Sequence, residues 1–151
     1  MRRHLLITVL LLSLSAIATP ARAAERLSGP VPGLVTQVID GDTLEVRVLV
    51  WLDQEVVTRV RIDGIDTPEK RGKCQREKDM AEQARQLTET LLAEPGVTLH
   101  DIQHDKYGGR VRARVLTRSG RDVGEQLIAA GLARPYGGKA RQTWCSVAQL
   151  P

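Results

Sequence analysis

One stretch of the chain, residues 61–69, concentrates the side chains best suited to chemistry. It reads Arg-Ile-Asp-Gly-Ile-Asp-Thr-Pro-Glu, so one guanidinium and three carboxylates fall within nine residues. The first half has the character of a strand, Gly64 predicts a turn, and Pro68 fixes the loop that follows. Such a segment can hold a metal cation, a base and an anion-binding donor close together.

Further oxygen donors for a metal lie upstream of this stretch. Asp40 and Asp42 flank Gly41 and project to the same side of a strand or bulge. Asp66 arrives from the later loop, where Thr67 adds a backbone carbonyl. Because these ligands are hard oxygens, without His or Cys, they favour calcium or magnesium over zinc. Either tripeptide alone, Asp-Gly-Asp or Asp-Thr-Pro, is more often an ordinary turn.

Arginines and one glutamate complete the candidate set. Arg61, on the polar face of its strand, and Arg110, after a Gly-Gly turn, could each bind a phosphate through two N–H groups. Three further arginines have an equal claim by spacing alone: Arg59, Arg112 and Arg114. Glu69, three residues beyond Asp66, is the candidate base that orients or deprotonates a water beside the cation.

The first 23 residues have the three parts of a secretory signal peptide, with cleavage expected near Ala23. Their apolar run, residues 5–17, is short for a bilayer span, which needs about 20 residues. Cleavage removes three arginines and lowers the net charge from +4 to +1, so overall basicity is no argument for nucleic acid. We expect a periplasmic or secreted protein without stable membrane association, and calcium, plentiful outside cells, is then the favoured cation.

Charge is distributed unevenly along the remainder. Residues 40–69 carry eight acidic side chains, whereas residues 101–151 carry nine basic against four acidic ones, which suits a cation site beside a polyanion site.

The two cysteines, Cys74 and Cys145, predict one disulfide in an oxidising compartment. Its loop would be worth on the order of 4 kcal/mol. No CxxC pattern supports a zinc or redox motif.

The elements that must position these residues follow from periodicity and turn signals. Strands are predicted over 34–40, 43–51, 56–62, 97–102 and 111–115, with helices over 75–94 and from a cap at Asp122 to about residue 131. The predicted core faces are Leu44, Val46, Val48 and Val50; Val56, Thr58, Val60 and Ile62; and Met80, Ala84, Leu87 and Leu91. This order predicts an α+β fold, a five-stranded Greek-key β-barrel of the OB type with two helices. Residues 24–33 are predicted as a linker, 34–136 as the domain, and 137–151 as a tail tied by the disulfide.

Four motifs resemble the staphylococcal nuclease (thermonuclease) family, in order and at suitable separations. They are Val-Ile-Asp-Gly-Asp-Thr at 38–43, the stretch 61–69, Asp-Lys-Tyr-Gly-Gly-Arg at 105–110 and Gly-Leu-Ala at 131–133. The resemblance covers residues 34–136. It implies a calcium-dependent phosphodiesterase that cuts DNA and RNA with little sequence preference and leaves 3′-phosphate ends.

The resemblance also implies roles for individual residues. The calcium ligands would be Asp42, Asp66 and the Thr67 carbonyl, with Asp40 just outside them. The catalytic positions would be Arg61, Glu69 and Arg110. The nucleotide-contacting positions would be Lys106, Tyr107 and Tyr136. Two features depart from the family archetype: an extra Gly precedes Arg110, and the tail is too short for a long third helix, whose stabilisation the Cys pair could replace.

A non-catalytic OB-fold module that binds single-stranded nucleic acid is the alternative function, and a calcium-stabilised structural domain is a third. The chain keeps the five implied catalytic and ligand side chains together, which a binder would not need. With two Trp, two Tyr and no Phe it is also poor in stacking aromatics. The sequence therefore favours a hydrolase, and we expect it to act as a monomer.

Overall fold

The computed structural model describes residues 26–146, which form eight strands and two helices. The strands are β1 (Arg26–Leu27), β2 (Val31–Asp40), β3 (Thr43–Trp51), β4 (Gln54–Ile62), β5 (Ile65–Asp66), β6 (Gly96–His104), β7 (Arg110–Thr117) and β8 (Arg134–Pro135). The helices are α1 (Gln75–Leu91) and α2 (Val123–Ala129). The predicted signal peptide and the last five tail residues lie outside the described residues. Neither of these two helices is both long and apolar enough to cross a membrane.

Five strands close into a barrel, as the predicted OB-type α+β fold requires. Strands β2, β3 and β4 form an antiparallel meander, and β7 runs parallel to β4. Strand β6 then pairs antiparallel with both β7 and β2 and completes the circle. The centre of the core is aliphatic and fully buried: Leu44, Val46, Val60, Ala113, Val115 and Leu127. Helix α2 begins at the predicted cap, because the Asp122 side chain accepts a hydrogen bond from the Glu125 N–H at 3.0 Å.

The predicted linker is wrong over much of its length. Residues 26–27 form β1 on β6, and residues 31–33 belong to β2, where their backbone also pairs with β6. Gly33 allows this close crossing, since a Cβ there would lie 2.6 Å from Val46 Cγ1. The Pro and Gly residues that indicate a loop are therefore accommodated in the strand pairing that closes the barrel.

The β3–β4 hairpin is longer than the barrel it joins. Its predicted apolar face is buried at Val48 and Val60, near the barrel, but exposed at Val50 and Val56. A register shift between Leu49 and Trp51 accompanies this change. Alternation in the sequence located the strands correctly, but Val50 and Val56 of the predicted face do not pack, because the hairpin tip extends past its partners.

Helix α1 packs on the barrel through the predicted Ala84, Leu87 and Leu91, and it ends at Leu91 rather than residue 94. Its buried residues are Ala81, Ala84 and Thr88, whereas Met80 is only half-buried. The reason is a close approach to the β2–β3 turn, where Thr88 Oγ1 donates a hydrogen bond to the Gly41 carbonyl at 2.9 Å. Small residues on both sides permit this distance.

The tail returns to the start of α1. Cys145 forms the predicted disulfide with Cys74, with their Cα atoms 5.8 Å apart, and Cys74 is the residue that caps α1. Strand β8 pairs with β5 immediately before this tail. The disulfide therefore holds residues 136–146 beside the loop that follows β5.

We expect Gly41→Ala to destabilise the protein by about 1–3 kcal/mol, because the new Cβ would lie 2.7 Å from the Ala84 Cβ. Urea unfolding measures the change. Gly96→Ala is the matched control, since its Cβ would meet only the end of the Arg118 side chain, at 3.8 Å. Equal losses in the two variants would show that the approach of α1 to this turn is not tightly packed.

Candidate active site

A cleft of about 790 Å³ opens at one end of the barrel, where the β2–β3, β4–β5 and β6–β7 connections meet. It brings together most of the residues singled out in the sequence: Asp40, Asp42, Arg61, Thr67, Glu69, Lys106, Tyr107, Arg110 and Tyr136. Asp66 is not part of the lining, although its neighbours on both sides are. The roles of these residues stay predictions, but their convergence is a property of the fold.

Asp42 is the most constrained carboxylate of the cleft. Its side chain is almost fully buried, with Oδ2 2.8 Å from Arg61 Nη1 and Oδ1 accepting a hydrogen bond from Thr43 Oγ1 at 3.0 Å. Burial raises the pKa of Asp42 to about 6, and the nearby Asp40 adds to this, although Arg61 opposes both. Asp40 also accepts a hydrogen bond from the Asp42 backbone N–H at 3.3 Å, which fits a place just outside a ligand set.

Strand register places Arg61 beside Asp42. Thr43 pairs with Arg61 in the β3–β4 ladder, and Asp42 is the residue directly before Thr43. The guanidinium is also held from the other side, because Nη2 donates a hydrogen bond to the Ile65 carbonyl at 3.3 Å. Arg61 thus links the turn before β3 to the first residue of β5.

Asp66 is buried against the tail rather than against the cleft. Its Oδ2 accepts a hydrogen bond from the Trp144 indole Nε1–H at 3.2 Å. Its Oδ1 is also buried, and Arg141 Nε lies 3.0 Å away, yet no group in residues 26–146 donates a well-aligned hydrogen bond to this oxygen. Oδ1 is therefore a buried oxygen that lies beside a guanidinium but accepts no hydrogen bond from the described residues.

The tail arginine also contacts Glu69. Arg141 Nη1 pairs with Glu69 Oε1, so one guanidinium bridges Asp66 and the candidate base. Sequence analysis missed both Arg141 and Trp144. The available signal was their position, since Trp144 directly precedes Cys145 and the predicted disulfide had to carry these residues toward the loop before Cys74.

Arg110 is anchored by its own turn. Its Nε lies 2.5 Å from Asp105 Oδ2, and its guanidinium lies 5.2 Å from the centre of the Tyr107 ring. The additional glycine is contained within this turn, closed by a hydrogen bond of 3.2 Å from the Asp105 N–H to the Arg110 carbonyl, with Gly109 at a φ of +77°. Arg110 therefore still lines the cleft.

The geometry separates the five arginines that spacing could not. Arg112 lines the cleft beside Arg61 and Arg110, and its Nη1 pairs with Asp63 at 2.9 Å. Arg114 instead pairs with Asp122 at the α2 cap, outside the cleft, and Arg59 is not part of the lining either. Asp63, the third carboxylate of the stretch 61–69, thus serves as the partner of Arg112.

The donor set fits a hard cation. Within residues 26–146, the only three potential metal ligands within 4.8 Å of one another are Glu77 and the two disulfide cysteines, whose sulfurs are bonded to each other. Asp42 and Asp66 belong to no such group, so a ligand set of these two carboxylates with neutral oxygens such as the Thr67 carbonyl stays a prediction. Calcium accepts this combination, and the unused acceptor of Asp66 is the feature that favours it.

Comparison with known proteins found one matching family and two curated relatives. A sequence model described as staphylococcal nuclease homologue matches residues 59–146, which include both the stretch 61–69 and the tail up to Cys145. Two curated relatives, each named "uncharacterized endonuclease", come from Escherichia coli and Escherichia coli O157:H7. Each is 32% identical over 110 residues, which cover 73% of this chain and 64% of the relative. The chain thus spans less than two thirds of their length.

We expect Arg61→Met to lower the free energy of unfolding by about 3 kcal/mol, because it leaves the buried Asp42 charge unpaired. Arg112→Met is the matched control, since the Arg112–Asp63 pair is about one third exposed and should contribute below about 1 kcal/mol. Urea unfolding in chelator at neutral pH measures both. A loss for Arg61→Met no larger than the control's would contradict the ion pair as the main support of Asp42.

Proposed function

Because the chain belongs to the staphylococcal nuclease family, we propose that it is a calcium-dependent nuclease that hydrolyses phosphodiester bonds of DNA and RNA. It acts with little sequence preference and leaves 3′-phosphate ends. The observation that carries the proposal is the placement of Arg61, Glu69 and Arg110 around one cleft, next to Asp42 and the Thr67 backbone. The name of the two relatives, "uncharacterized endonuclease", supports the same class of activity.

The cation would be held by the Asp42 and Asp66 carboxylates and the Thr67 carbonyl, with Asp40 supporting Asp42 from outside. When bound, calcium would supply positive charge that neutralises the phosphodiester and its transition state. Two observations support this assignment: burial raises the pKa of Asp42 to about 6, a cost to its charged form that a cation would offset, and Asp66 Oδ1 is buried with an unused acceptor.

The two arginines would bind the phosphoryl oxygens. Only Nε of Arg110 is engaged, with Asp105, and among the described residues its two terminal nitrogens make no hydrogen bonds. They are available for a bidentate grip on a phosphate. Arg61 lies on β4, the strand that pairs with β7, and keeps further N–H donors beyond those given to Asp42 and Ile65. Both guanidiniums would stabilise the negative charge that gathers on the equatorial oxygens.

Glu69 would orient the attacking water and accept its proton. Its carboxylate lines the cleft and is more than half exposed, so water has direct access to it. As the water oxygen bonds to phosphorus, its proton passes to Glu69 and the bond to the 5′-oxygen breaks. The leaving 5′-oxygen takes a proton from solvent water, and Glu69 later returns its proton to solvent. Lys106, Tyr107 and Tyr136 line the same cleft and would contact the flanking nucleotide.

The proposal includes the setting in which the enzyme works. We propose a periplasmic or secreted monomer, without stable membrane association, whose signal peptide is cleaved near Ala23. The disulfide between Cys74 and Cys145 supports an oxidising compartment, because such bonds rarely persist in the cytosol.

The purified protein should degrade single-stranded DNA and RNA with calcium and stop when the calcium is chelated. Products of a 5′-labelled oligonucleotide should shift on gels after phosphatase treatment if their 3′ ends carry phosphate. Undiminished cleavage in chelator would overturn the calcium requirement. Binding of the oligonucleotide without any cleavage would support the non-catalytic OB-fold module instead.

Glu69→Gln should lower turnover at least about 100-fold, because the amide cannot accept the proton. Oligonucleotide binding, measured by fluorescence anisotropy, should persist, since the arginines are untouched. Glu125→Gln is the control, because Glu125 is an exposed acid on α2 outside the cleft. Turnover near that of the control would remove Glu69 from the mechanism.

A further inference from the structure

The Asp66 carboxylate is a predicted calcium ligand, and its neighbours come from the C-terminal segment, residues 134–145. Strand β8 pairs with β5, with Arg134 as the Cα partner of Asp66. Trp144 and Arg141 then approach the carboxylate itself, 78 and 75 residues away along the chain. Apart from the ladder, these two side chains supply the polar contacts of Asp66 within the described part of the chain.

Trp144 is held by Arg134, by Asp66 and by the disulfide of the residue that follows it. It is only 5% exposed, and the Arg134 guanidinium lies 3.7 Å from the centre of its ring. Arg134 is in turn held by a hydrogen bond of 3.0 Å from its Nη1 to the Thr143 carbonyl. The next residue, Cys145, is bonded to Cys74. The indole N–H therefore cannot leave Asp66 unless this packing opens.

The two oxygens of Asp66 are not equivalent. Oδ2 accepts the hydrogen bond from Trp144, whereas Oδ1 accepts none from the described residues. Arg141, which lies near Oδ1, has a side chain that is 43% exposed and lines the cleft. Arg141 can therefore move away without unpacking the core, and Trp144 cannot. Trp144 therefore holds Oδ2 in place, whereas the partner of Oδ1 can be replaced.

We propose that Trp144 is a positioning residue for the cation site: its N–H fixes Asp66 Oδ2 so that Oδ1 serves as the ligand, and the Cys74–Cys145 disulfide holds the indole there. This inference rests on the calcium-dependent function proposed above. Hydrogen bonds from outside the ligand set orient metal-binding side chains, and losing one typically weakens metal affinity about 10- to 100-fold.

The test is a calorimetric titration of Ca²⁺ into the nucleotide-free protein, a readout that does not depend on activity. Trp144→Phe keeps the apolar ring and removes the N–H, and we expect the Kd for Ca²⁺ to rise about 10-fold. Turnover at saturating Ca²⁺ should recover, since Trp144 touches no substrate. Trp51→Phe is the matched control, because Trp51 is 73% exposed on the β3–β4 hairpin and should leave the Kd unchanged.

The titration separates this inference from the function on which it rests. Absence of Ca²⁺ binding by the wild-type protein would overturn the calcium-dependent function itself. Wild-type binding together with a Trp144→Phe Kd equal to that of Trp51→Phe would overturn the positioning role alone. A higher Kd for Ca²⁺ in Arg141→Gln but not in Trp144→Phe would also overturn the positioning role of Trp144, because Arg141 would then be the residue that orients Asp66.

A second measurement covers the case in which Trp144→Phe does not fold. Tb³⁺ takes the same hard oxygen ligands as Ca²⁺, and in Trp51→Phe the one remaining indole is that of Trp144. We expect strong Tb³⁺ emission on tryptophan excitation, displaced by Ca²⁺, because the indole touches Asp66. Ca²⁺ binding without this emission would place the cation away from Trp144 and overturn the proposal.

The contribution of the disulfide is tested in the same way. The double variant Cys74→Ser/Cys145→Ser retains Trp144 but loses its anchor, and we expect it to bind Ca²⁺ more weakly than wild type. Reduction of the wild-type protein should have the same effect, reversed on reoxidation. Unchanged affinity in both would overturn the disulfide's part in the proposal.

Discussion

Two carboxylates, those of Asp42 and Asp66, are almost completely removed from water, and the structure around the cleft depends on how that burial is compensated. Each has one guanidinium within 3 Å, Arg61 for Asp42 and Arg141 for Asp66. Compensation is incomplete for both, since the pKa of Asp42 is raised by its desolvation and Asp66 retains an unused acceptor. A buried acid that is only partly neutralised favours a bound cation.

The two carboxylates are supported by different parts of the fold. Asp42 belongs to the barrel, because the turn that carries it packs on α1 through Gly41 and Thr88. Asp66 is supported by the tail, because β8 pairs with its strand and Trp144 donates a hydrogen bond to its side chain. The cleft lies where these two supports meet, so its geometry depends on both the barrel core and the disulfide.

Much of the fold follows from the sequence, because its signals are local. Alternating β-branched residues locate β3 and β4, and Asp122 caps α2 as predicted. The errors arise where tertiary contacts override local preference. Residues 31–33 become part of a strand because β6 supplies their partners, and Thr88 joins the buried face of α1 because its hydroxyl donates a hydrogen bond to the Gly41 carbonyl.

For the site, the sequence by itself determined which side chains are available: carboxylates, arginines and a pair of cysteines. It also determined the family, since the motifs lie in order along the chain. Only the tertiary structure decided which arginines share the cleft, that Asp63 serves Arg112, and that Trp144 and Arg141 reach Asp66. The physical reason is distance along the chain. Side-chain types and turns are encoded within a few residues, whereas contacts between residues 66 and 144 exist only after the barrel closes and the disulfide draws the tail back.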